Sequence, residues 1–393
     1  MNYILFDQDH TRENLLPFTF TRPVCEIRIG ILTIREKWEK RMNCLSSWKT
    51  QSYLSEKYPV QTGEDNILIN GSILPDNELV LEIKSLLLGQ ALYSGEMLLA
   101  VRLDREGTDS FYPDSRYEKI EYGNDMLRIE FPWDIFTLNG AAIESDFALI
   151  TTGKKSAPLS TTNQVLGSGN IFIEAGASVE FASLNTTKGS IYIGRNAEVM
   201  EGSLIRGPFA LGENSTLKLG AKIYGPTTIG PHSKVGGEIN NSIIFGYSNK
   251  AHDGFLGNSV IGEWCNLGAD SNNSNLKNNY SEVRVWNYRE ESFIASGLTF
   301  CGLIMGDHSK CGINTMFNTG TVVGVNANIF GSGFPRNFIP SFSWGGAHGF
   351  STYQLKKALE VAEEVMIRRE IQLDTTEADI LSEVFFQTEK YRS

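Results

Sequence analysis

The chain has 393 residues, which is long enough for two or more domains that each bury a core of their own. Hydrophobic residues make up 41% and charged residues 21%, which excludes a disordered or fibrous protein. A formal charge of −11 without a basic cluster argues against binding to nucleic acid. Anionic substrates would therefore be held by local Lys, Arg and backbone N–H groups.

The sequence gives no sign of a membrane or secretory segment. No apolar run reaches the roughly 18 residues that span a bilayer. The opening MNYILFDQDHTREN lacks the basic residues and the longer apolar run of a signal peptide. Five sparse cysteines without C-x-x-C spacing indicate reduced thiols, not a disulfide framework or a zinc site. We therefore expect a cytoplasmic protein without a membrane partner.

The first part of the chain, residues 1–155, alternates between strand and helix signals. The stretches NYILF, DNILINGSIL and GEMLLAVRL predict strands, and NELVLEIKSLLLGQALY predicts a helix. Alternating strands and helices favour an α/β domain with a mostly parallel sheet.

One motif in this domain points to phosphate chemistry. The stretch HTRENLLPFTFTRPVCEI resembles the signature loop of the sugar-phosphate nucleotidylyltransferases, Gly-x-Gly-Thr-Arg-Leu-x-Pro-Leu-Thr followed by Lys-Pro. The resemblance implies a loop that wraps the triphosphate of UTP. Arg12 would draw charge off the leaving pyrophosphate, and Arg22, which replaces the family's lysine, would bind phosphate. There is no glycine between Met1 and Arg28, so close backbone approach to a phosphate must be achieved otherwise.

Two further segments resemble the metal site of that family. ILINGSIL resembles its strand ending Asn-Gly-Asp, but the magnesium-binding Asp is replaced by Ser72. PWDIFTLN resembles its second metal segment and offers Asp134 as a ligand for Mg²⁺. A helix N-terminal cap is the alternative role for Asp134. The implied reaction is attack of a sugar 1-phosphate on the α-phosphate of UTP, with release of pyrophosphate.

A six-residue period follows in the second part of the chain. Every sixth position from 193 is aliphatic: Ile193, Val199, Ile205, Leu211, Leu217, Ile223, Ile229 and Val235. Neither a helix nor a simple strand has this period, whereas a solenoid with one inward side chain per short strand does. The register slips after Val235 and resumes at Ile261. A parallel β-helix is therefore predicted over residues 165–340.

The aliphatic-Gly pairs within these hexads resemble the hexapeptide-repeat acyltransferases. That resemblance implies a left-handed β-helix that packs as a homotrimer, with active sites between neighbouring subunits. Between Asp270 and Thr299 the period is absent, which predicts a protruding loop on the rigid scaffold.

The stretch SNKAHDGFLGNSVIGEWCNLGAD, residues 248–270, contains one of five histidines. It resembles the acetyltransferase half of the bifunctional enzymes that make UDP-N-acetylglucosamine, with their Lys-Ala-Gly-His, Tyr-Leu-Gly and Asn-Ile-Gly-Ala-Gly segments. His252 falls on the catalytic base of that family. A histidine side chain titrates near neutral pH, so it can take a proton from the ammonium of glucosamine 1-phosphate before the amine attacks acetyl-CoA. The alternative is a polar turn residue without a chemical role.

The resemblance implies further contacts around this histidine. Candidate sugar-phosphate contacts are Lys222, Asn240, Lys250, Asn266 and Asn275. Candidate acetyl-CoA contacts are Ala269, whose N–H could stabilise an oxyanion, Lys310 and Arg336. A phosphate-binding lysine of the family falls on Asn240 and a sugar-contacting tyrosine on Phe255, which leaves the acyl acceptor open. For each cationic candidate, a solvated surface charge is the alternative.

The end of the chain is predicted to be helical over residues 350–390. FSTYQLKKALEVAEEVMIRREIQL has helical spacing, and Ser351 with Gln354 forms a capping-box pattern. A second helix is expected from about Thr376 to Glu389. This tail is predicted to shield the last coil of the β-helix.

Taken together, the halves resemble the bifunctional UDP-N-acetylglucosamine pyrophosphorylase and glucosamine-1-phosphate acetyltransferase family, with UTP and acetyl-CoA as co-substrates. Two alternatives stay open. One is a nucleotidylyltransferase alone, of the thymidylyl or guanylyl type, with a structural β-helix. The other is a non-catalytic regulatory homologue, which the missing loop glycines and Ser72 favour for the first half and His252 disfavours for the second.

Overall fold

The computed structural model describes residues 1–113, 115 and 117–392. These residues divide into two compact units. The first unit contains residues 1–15, 22–27 and 32–131, and the second, here called the solenoid unit, contains residues 16–21, 28–31 and 132–393. We predicted that the first domain extends to residue 155, whereas the first unit ends at Phe131. No helix among the described residues is long and apolar enough to cross a membrane.

The described residues of the first unit form a mixed sheet of six strands. In spatial order these are Ser46–Lys49, Asn2–Phe6, Asp65–Asn70, Met97–Asp104, Gln90–Ser94 and Glu118–Glu121. Asn2–Phe6 runs parallel to both of its neighbours, and Met97–Asp104 runs antiparallel to both of its own. A short antiparallel pair is formed by Ile73–Leu74 and Leu127–Arg128. The predicted α/β class is confirmed.

The helices of this unit are Asp9–Asn14, Ile34–Met42, Asn77–Ser85 and Arg105–Asp109, with 3-10 turns at Val24–Glu26 and Ser52–Leu54. Ile34–Met42 begins at a capping box, because Thr33 Oγ1 accepts from Glu36 N–H at 3.2 Å and Glu36 Oε2 accepts from Thr33 N–H at 2.7 Å. The apolar strand residues Ile4, Phe6 and Leu68 lie in the core.

The predicted helix over residues 77–93 is only partly correct. The helix ends at Ser85, and Gln90–Ser94 forms a strand. Gly89 separates the two elements with a φ of +84°, a left-handed conformation that glycine adopts without strain. Periodicity alone did not separate these apolar stretches, because a short apolar run is compatible with either element.

The solenoid unit is a parallel β-solenoid of about ten turns with three faces, as predicted. The nine-stranded face contains Ile171–Ile173, Ile191–Ile193, Phe209–Leu211, Thr227–Ile229, Ile243–Gly246, Val260–Glu263, Leu303–Met305, Thr321–Val323 and Phe338–Ile339. The ten-stranded face contains Ser178–Val179, Glu198–Val199, Thr216–Leu217, Lys234–Val235, Asn249–Lys250, Asn266–Leu267, Lys310–Cys311, Asn328–Ile329, Ser343–Gly346 and Gly349–Thr352.

The third face contains Gln164–Leu166, Ser183–Asn185, Leu204–Arg206, Lys222–Tyr224, Glu238–Asn240 and Phe255–Gly257, and the pair Asn272–Asn273 and Met316–Phe317 follows it along the chain. The hexad residues fill the interior between the three faces. All eight positions from Ile193 to Val235, together with Ile261, Leu267 and Met305, belong to one buried cluster. Burial of one aliphatic side chain per strand explains the six-residue period.

The predicted loop leaves the solenoid later than the loss of the hexad period suggested. Asn272–Asn273 still belongs to a coil, and the chain departs after Asn275. It returns at Cys301, whose N–H donates to Asn275 O at 2.9 Å. The excursion carries an antiparallel hairpin of Arg284–Asn287 with Ser292–Ala295.

Helices Pro132–Thr137 and Asn139–Thr151 precede the coils, and Leu355–Ile367 and Thr375–Gln387 follow them, with 3-10 turns at Phe18–Phe20 and Glu389–Tyr391. The predicted helical tail is confirmed, and Phe385 in it lies 5.0 Å from Phe342 of the last coil, measured between ring centroids. The capping box predicted from Ser351 and Gln354 is wrong. Ser351 belongs to Gly349–Thr352, where its hydroxyl donates to Trp344 O at 3.3 Å.

Candidate functional site

His252 lies in the turn that joins Asn249–Lys250 of the ten-stranded face to Phe255–Gly257 of the third face. Its side chain is exposed. The turn is tied to the next coil, because Asp270 N–H donates to Asp253 O at 3.0 Å. Gly254 has a φ of +116°, and a Cβ there would lie 2.2 Å from Ser271 O, so only glycine permits this close stacking of turns. The fold therefore presents an imidazole from a rigid corner.

Ala269 occupies the same corner in the next coil. The pairing of Leu267 with Cys311 continues the stack to the coil after it, where Asn314 N–H donates to Ala269 O at 2.8 Å. His252, Ala269 and Ile313 consequently follow one another along the corner at roughly 4.8 Å per coil, the ordinary spacing of strands. The predicted base and the predicted oxyanion donor are thus in neighbouring turns.

Asn240 lies on the third face at the end of its strand away from this corner, and Asn275 follows Asn272–Asn273 at the same far end. Asn240 pairs in register with Gly257, and Asn275 Nδ2 donates to Asn258 Oδ1 at 2.8 Å. A Cβ on Gly257 would lie 2.4 Å from the Phe255 ring and 2.8 Å from Asn275 Nδ2. The missing side chain at Gly257 therefore lets the Phe255 ring and the Asn275 amide lie over the strand.

Lys222 and Asn266 are exposed but stand at different distances from the histidine. Lys222 pairs with Glu238, which pairs with Phe255, so Lys222 is two strands, or roughly 10 Å, from Phe255. Asn266 lies on the ten-stranded face, where it pairs with Asn249. Both can be reached only by a substrate that extends away from the corner.

We predicted that the Lys250 side chain binds substrate, but this prediction is wrong because the side chain does not point towards solvent. Lys250 is only 3% exposed and points into the solenoid. Its ammonium donates to Gly236 O at 3.1 Å and to His252 O at 2.5 Å. Burial lowers the pKa of Lys250 to about 8, although Asp253 and Asp270 favour the charged form.

Lys310 was predicted to bind the phosphates of CoA, but its ammonium is occupied by a hydrogen bond within the protein. Its ammonium donates to His308 O at 2.8 Å, and burial lowers its pKa to about 8. An ammonium group that is bound to a backbone carbonyl inside the protein is not presented to a phosphate. Arg336 is exposed, by contrast, and its guanidinium carbon lies 5.4 Å from the Phe350 ring centroid. Arg336 lies three coils further along the solenoid than His252, which corresponds to roughly 14 Å along the solenoid axis.

Sequence reasoning missed three residues that shape the corner. Glu238 is half-buried on the third face, and its N–H donates to Gly254 O at 3.2 Å. Asn272 Oδ1 accepts from Phe255 N–H at 2.8 Å, and buried Asn273 bonds both backbone groups of Gly257. The Asn-rich stretch was interpreted as part of the loop. A buried Asn can nevertheless belong to a coil, because its side-chain amide both donates and accepts hydrogen bonds.

In the first unit, the predicted phosphate loop is wrong in its conformation. Asp9–Asn14 is a helix, and Arg12 within it is buried, with Nη2 donating to Tyr53 OH at 2.6 Å. Arg22 is buried as well. Residues 16–21 belong to the solenoid unit, where the Phe18 and Phe245 rings lie 5.0 Å apart and Thr21 Oγ1 donates to Asp307 Oδ2 at 2.6 Å.

Asp7 is a buried carboxylate that the sequence motif did not identify. It follows the strand Asn2–Phe6 directly, at the carboxyl end where ligands of parallel sheets bind. Val24 N–H donates to Oδ1 at 2.8 Å and Thr50 Oγ1 donates to Oδ2 at 2.6 Å. Burial raises the pKa of Asp7 to about 6, against the opposing effects of these bonds and of Arg12. An acid directly after an apolar run was the available signal.

The residues do not fit the expected magnesium site. Asp134 lies in the first turn of Pro132–Thr137, within the solenoid unit. The Ser72 hydroxyl donates to Asn70 Oδ1 at 2.8 Å. Among the described residues there is no group of three or more His, Cys, Asp or Glu side chains that could hold a metal. Mg²⁺ is usually held by one or two carboxylates together with substrate phosphates and waters, and each carboxylate oxygen of Asp7 accepts a protein hydrogen bond.

Comparison with known proteins found relatives whose names include both of the activities predicted for the two halves of the chain. Residues 3–155 match the family model described as sugar nucleotidyl transferase. A bifunctional sugar-1-phosphate nucleotidylyltransferase/acetyltransferase of Sulfurisphaera tokodaii is 30% identical over 243 residues, which cover 61% of this chain and 54% of that protein. The bifunctional protein GlmU of Methanococcus aeolicus is 38% identical over 92 residues, which cover 23% of this chain and 22% of that protein.

A solved structure of Arabidopsis UDP-N-acetylglucosamine acyltransferase covers 60% of this chain and 91% of its own, at 17% identity. Its TM-score of 0.24 is too low to support an argument. The chain spans about half the length of the Sulfurisphaera protein. The predicted resemblance to bifunctional nucleotidylyltransferase/acetyltransferases is confirmed by the curated relatives.

Proposed function

We propose that this chain, whose residues 3–155 match the sugar nucleotidyl transferase family, transfers acetyl from acetyl-CoA to the amine of glucosamine 1-phosphate at the corner that holds His252. The observation that carries the proposal is the exposed imidazole on a rigid turn, from which the strand Phe255–Gly257 leads to Asn240 and Asn275 at its far end. The Sulfurisphaera relative, whose name includes acetyltransferase, supports it.

The chemistry needs a base at this position. The substrate ammonium first loses one proton to solvent. The neutral amine then attacks the thioester carbon, a C–N bond forms, and His252 takes a second proton from that nitrogen. The Ala269 N–H in the next coil stabilises the oxyanion of the tetrahedral intermediate. The C–S bond then breaks, and the CoA thiolate receives the proton from His252. No oxidant, reductant or metal is needed for this balance.

The corner also offers a path for the arm of CoA. Ile313, 69% exposed, and Phe330, 42% exposed, follow the histidine in the next coils, and Met316 lies beside them on the third face. Exposed apolar side chains in a row suit an extended chain with both apolar and amide segments. Arg336 lies beyond them and binds phosphate in this proposal, a role that Lys310 does not share.

We propose uridylyl transfer as the activity of the first unit. The family match and the Sulfurisphaera relative support it. A sugar 1-phosphate oxygen attacks the α-phosphate of UTP, and pyrophosphate leaves. Arg12 and Arg22 supply positive charge for the phosphates. Because the residues do not fit a magnesium site, no step is assigned to a protein-bound metal.

Thiol release tests the acetyl transfer. Purified protein mixed with acetyl-CoA and glucosamine 1-phosphate at pH 7.5 should release CoA, and His252→Ala should lose at least about 100-fold in kcat, the usual contribution of a general base. His348→Ala, which removes another exposed histidine, is the control and should keep wild-type activity. Release that persists in His252→Ala would reject the proposal.

Pyrophosphate release tests the uridylyl transfer. UTP, Mg²⁺ and N-acetylglucosamine 1-phosphate should yield pyrophosphate with the wild type, and Arg12→Ala should abolish it. Arg105→Ala, an exposed arginine of the same unit, is the control. Pyrophosphate from dTTP or GTP in place of UTP would favour the nucleotidylyltransferase alternative. No product from UTP, dTTP or GTP would leave a binding domain without catalysis.

A further inference from the structure

Lys250 occupies a position that the solenoid otherwise fills with apolar side chains. It pairs in register with Val235, and the same inward row contains Val199, Leu217, Leu267, Cys311 and Ile329. All of these side chains are buried. An ammonium group inside an apolar core is costly unless hydrogen bonds replace its lost hydration. Its presence in this row therefore calls for a specific function.

The two acceptors of Lys250 belong to consecutive turns of the candidate corner. Gly236 O lies in the turn of the preceding coil at 3.1 Å, and His252 O lies in the turn of the candidate base at 2.5 Å. Gly237 has a φ of +75°, and a Cβ on it would lie 2.9 Å from Lys250 Nζ. The missing side chain of Gly237 thus leaves the space through which the ammonium joins the two turns.

The charged groups around Lys250 keep it protonated near neutral pH. Asp253 and Asp270 favour the ammonium form, and the buried Cys311 thiol also faces it. Burial lowers the pKa of Lys250 to about 8, so the side chain still carries its charge at pH 7. The carbonyl of His252 therefore accepts a charge-assisted hydrogen bond, which is stronger than one from a neutral donor.

We propose that Lys250 is a positioning residue for the acetyl transfer: from inside the solenoid, its ammonium holds the His252 carbonyl against the preceding turn and so fixes the place of the imidazole. This inference rests on the proposed function of His252. The base must lie within hydrogen-bond reach of the substrate ammonium, and a displacement of about 1 Å can cost about 100-fold in rate. Lys250 itself does not contact the substrate.

Positioning and simple structural support predict opposite effects on stability. Replacement of a buried charge by an apolar side chain of similar length is often neutral or stabilising. Lys250→Met should therefore melt no lower than the wild type while its kcat falls by about 100-fold. KM for acetyl-CoA should stay close to the wild-type value, because the binding groups are untouched. Lys250→Gln keeps a hydrogen-bond donor and should retain part of the activity.

The test combines thiol-release kinetics with hydrogen exchange of the amides in residues 251–254. Exchange should be faster in Lys250→Met and unchanged in Lys188→Met, which removes an exposed lysine from an earlier turn. If the wild type releases no thiol, the proposed function fails, and hydrogen exchange alone decides whether Lys250 holds the turn. Wild-type kcat or wild-type exchange in Lys250→Met would overturn the positioning role. Failure of both Lys250 variants to fold would also overturn it, because the lysine would then support the whole solenoid.

Discussion

Asp7 shows how a single buried carboxylate can set the acid response of the first unit. Its pKa is raised from 3.8 to about 6, chiefly by burial. The folded state therefore binds the proton more tightly than the unfolded state does. The contribution of Asp7 to stability is fully present below the unfolded pKa and is lost as the pH rises through the folded one.

We expect Asp7 to lower the unfolding free energy by about 2 kcal/mol between pH 4 and pH 7. In Asp7→Asn this contribution should vanish, because the amide oxygen can still accept from Val24 N–H and the amide nitrogen can donate to Thr50. Urea unfolding at the two pH values measures both proteins. Asp76→Asn, at the N-cap of helix Asn77–Ser85, is a control for removal of another carboxylate. Equal pH dependence in wild type and Asp7→Asn would contradict the assignment.

At the scale of single residues, the sequence indicated which residues are candidates for the site better than it indicated where their side chains point. His252 could be identified because its neighbours in the chain match a known pattern. The inward direction of Lys250 could not, because the coil between Val235 and Lys250 is three residues shorter than the regular coil of three hexads. Hexad counting therefore loses the register at that point. Conversely, Glu238 has no neighbouring motif to mark it, and Asp7 is marked only by its place directly after an apolar run.

At the scale of elements, the hexads predicted the solenoid because each inward aliphatic side chain has one unambiguous location. The same logic did not apply to the first 28 residues, where the expected phosphate loop is helix Asp9–Asn14. A glycine-free segment can form a helix where a glycine-rich loop could not. Motif similarity thus identified the residues but not their backbone conformation.

A second regular feature of the solenoid was not visible as a sequence pattern. One corner between the nine-stranded and ten-stranded faces carries residues in the left-handed conformation, with stacked rings of His232, Tyr247, Trp264 and His308. The Tyr247 and Trp264 ring centroids are 4.3 Å apart. Such a column stabilises the corner by packing although each residue has an unfavourable φ.

At this corner, we expect replacement of Trp264 by glycine to destabilise the protein less than replacement by alanine. Trp264→Ala should destabilise the protein by about 3–5 kcal/mol, because a nearly buried indole is removed. Trp264→Gly should be less destabilising than Trp264→Ala by about 1 kcal/mol, since the φ of 61° favours glycine over alanine. Urea unfolding of both variants measures the order. Leu219→Ala, at an exposed turn, should change stability by less than about 0.5 kcal/mol. A glycine variant weaker than the alanine variant would contradict this account.

At the scale of the whole molecule, the two proposed activities place different demands on assembly. The first unit has its own sheet and core, so we expect uridylyl transfer to need no second chain. The acetyl transfer is proposed to use a homotrimer with sites between subunits. The third face supports this proposal, because large apolar side chains are exposed on its first coils: Val165, Leu166, Leu204 and Tyr224. They line a depression of about 510 Å³.

Leu204→Glu should therefore separate the two activities. Leu204 is 52% exposed near the centre of this apolar surface, where a carboxylate would meet the apolar surface of a second chain. We expect sedimentation to report a trimer for the wild type and a monomer for Leu204→Glu. Thiol release should fall with the trimer, whereas pyrophosphate release should stay at the wild-type rate. Leu81→Glu, at an exposed leucine of the first unit, controls for the added charge and should remain trimeric with both activities. A monomeric wild type that releases thiol would show that one chain completes the site, and the apolar face would then need another explanation.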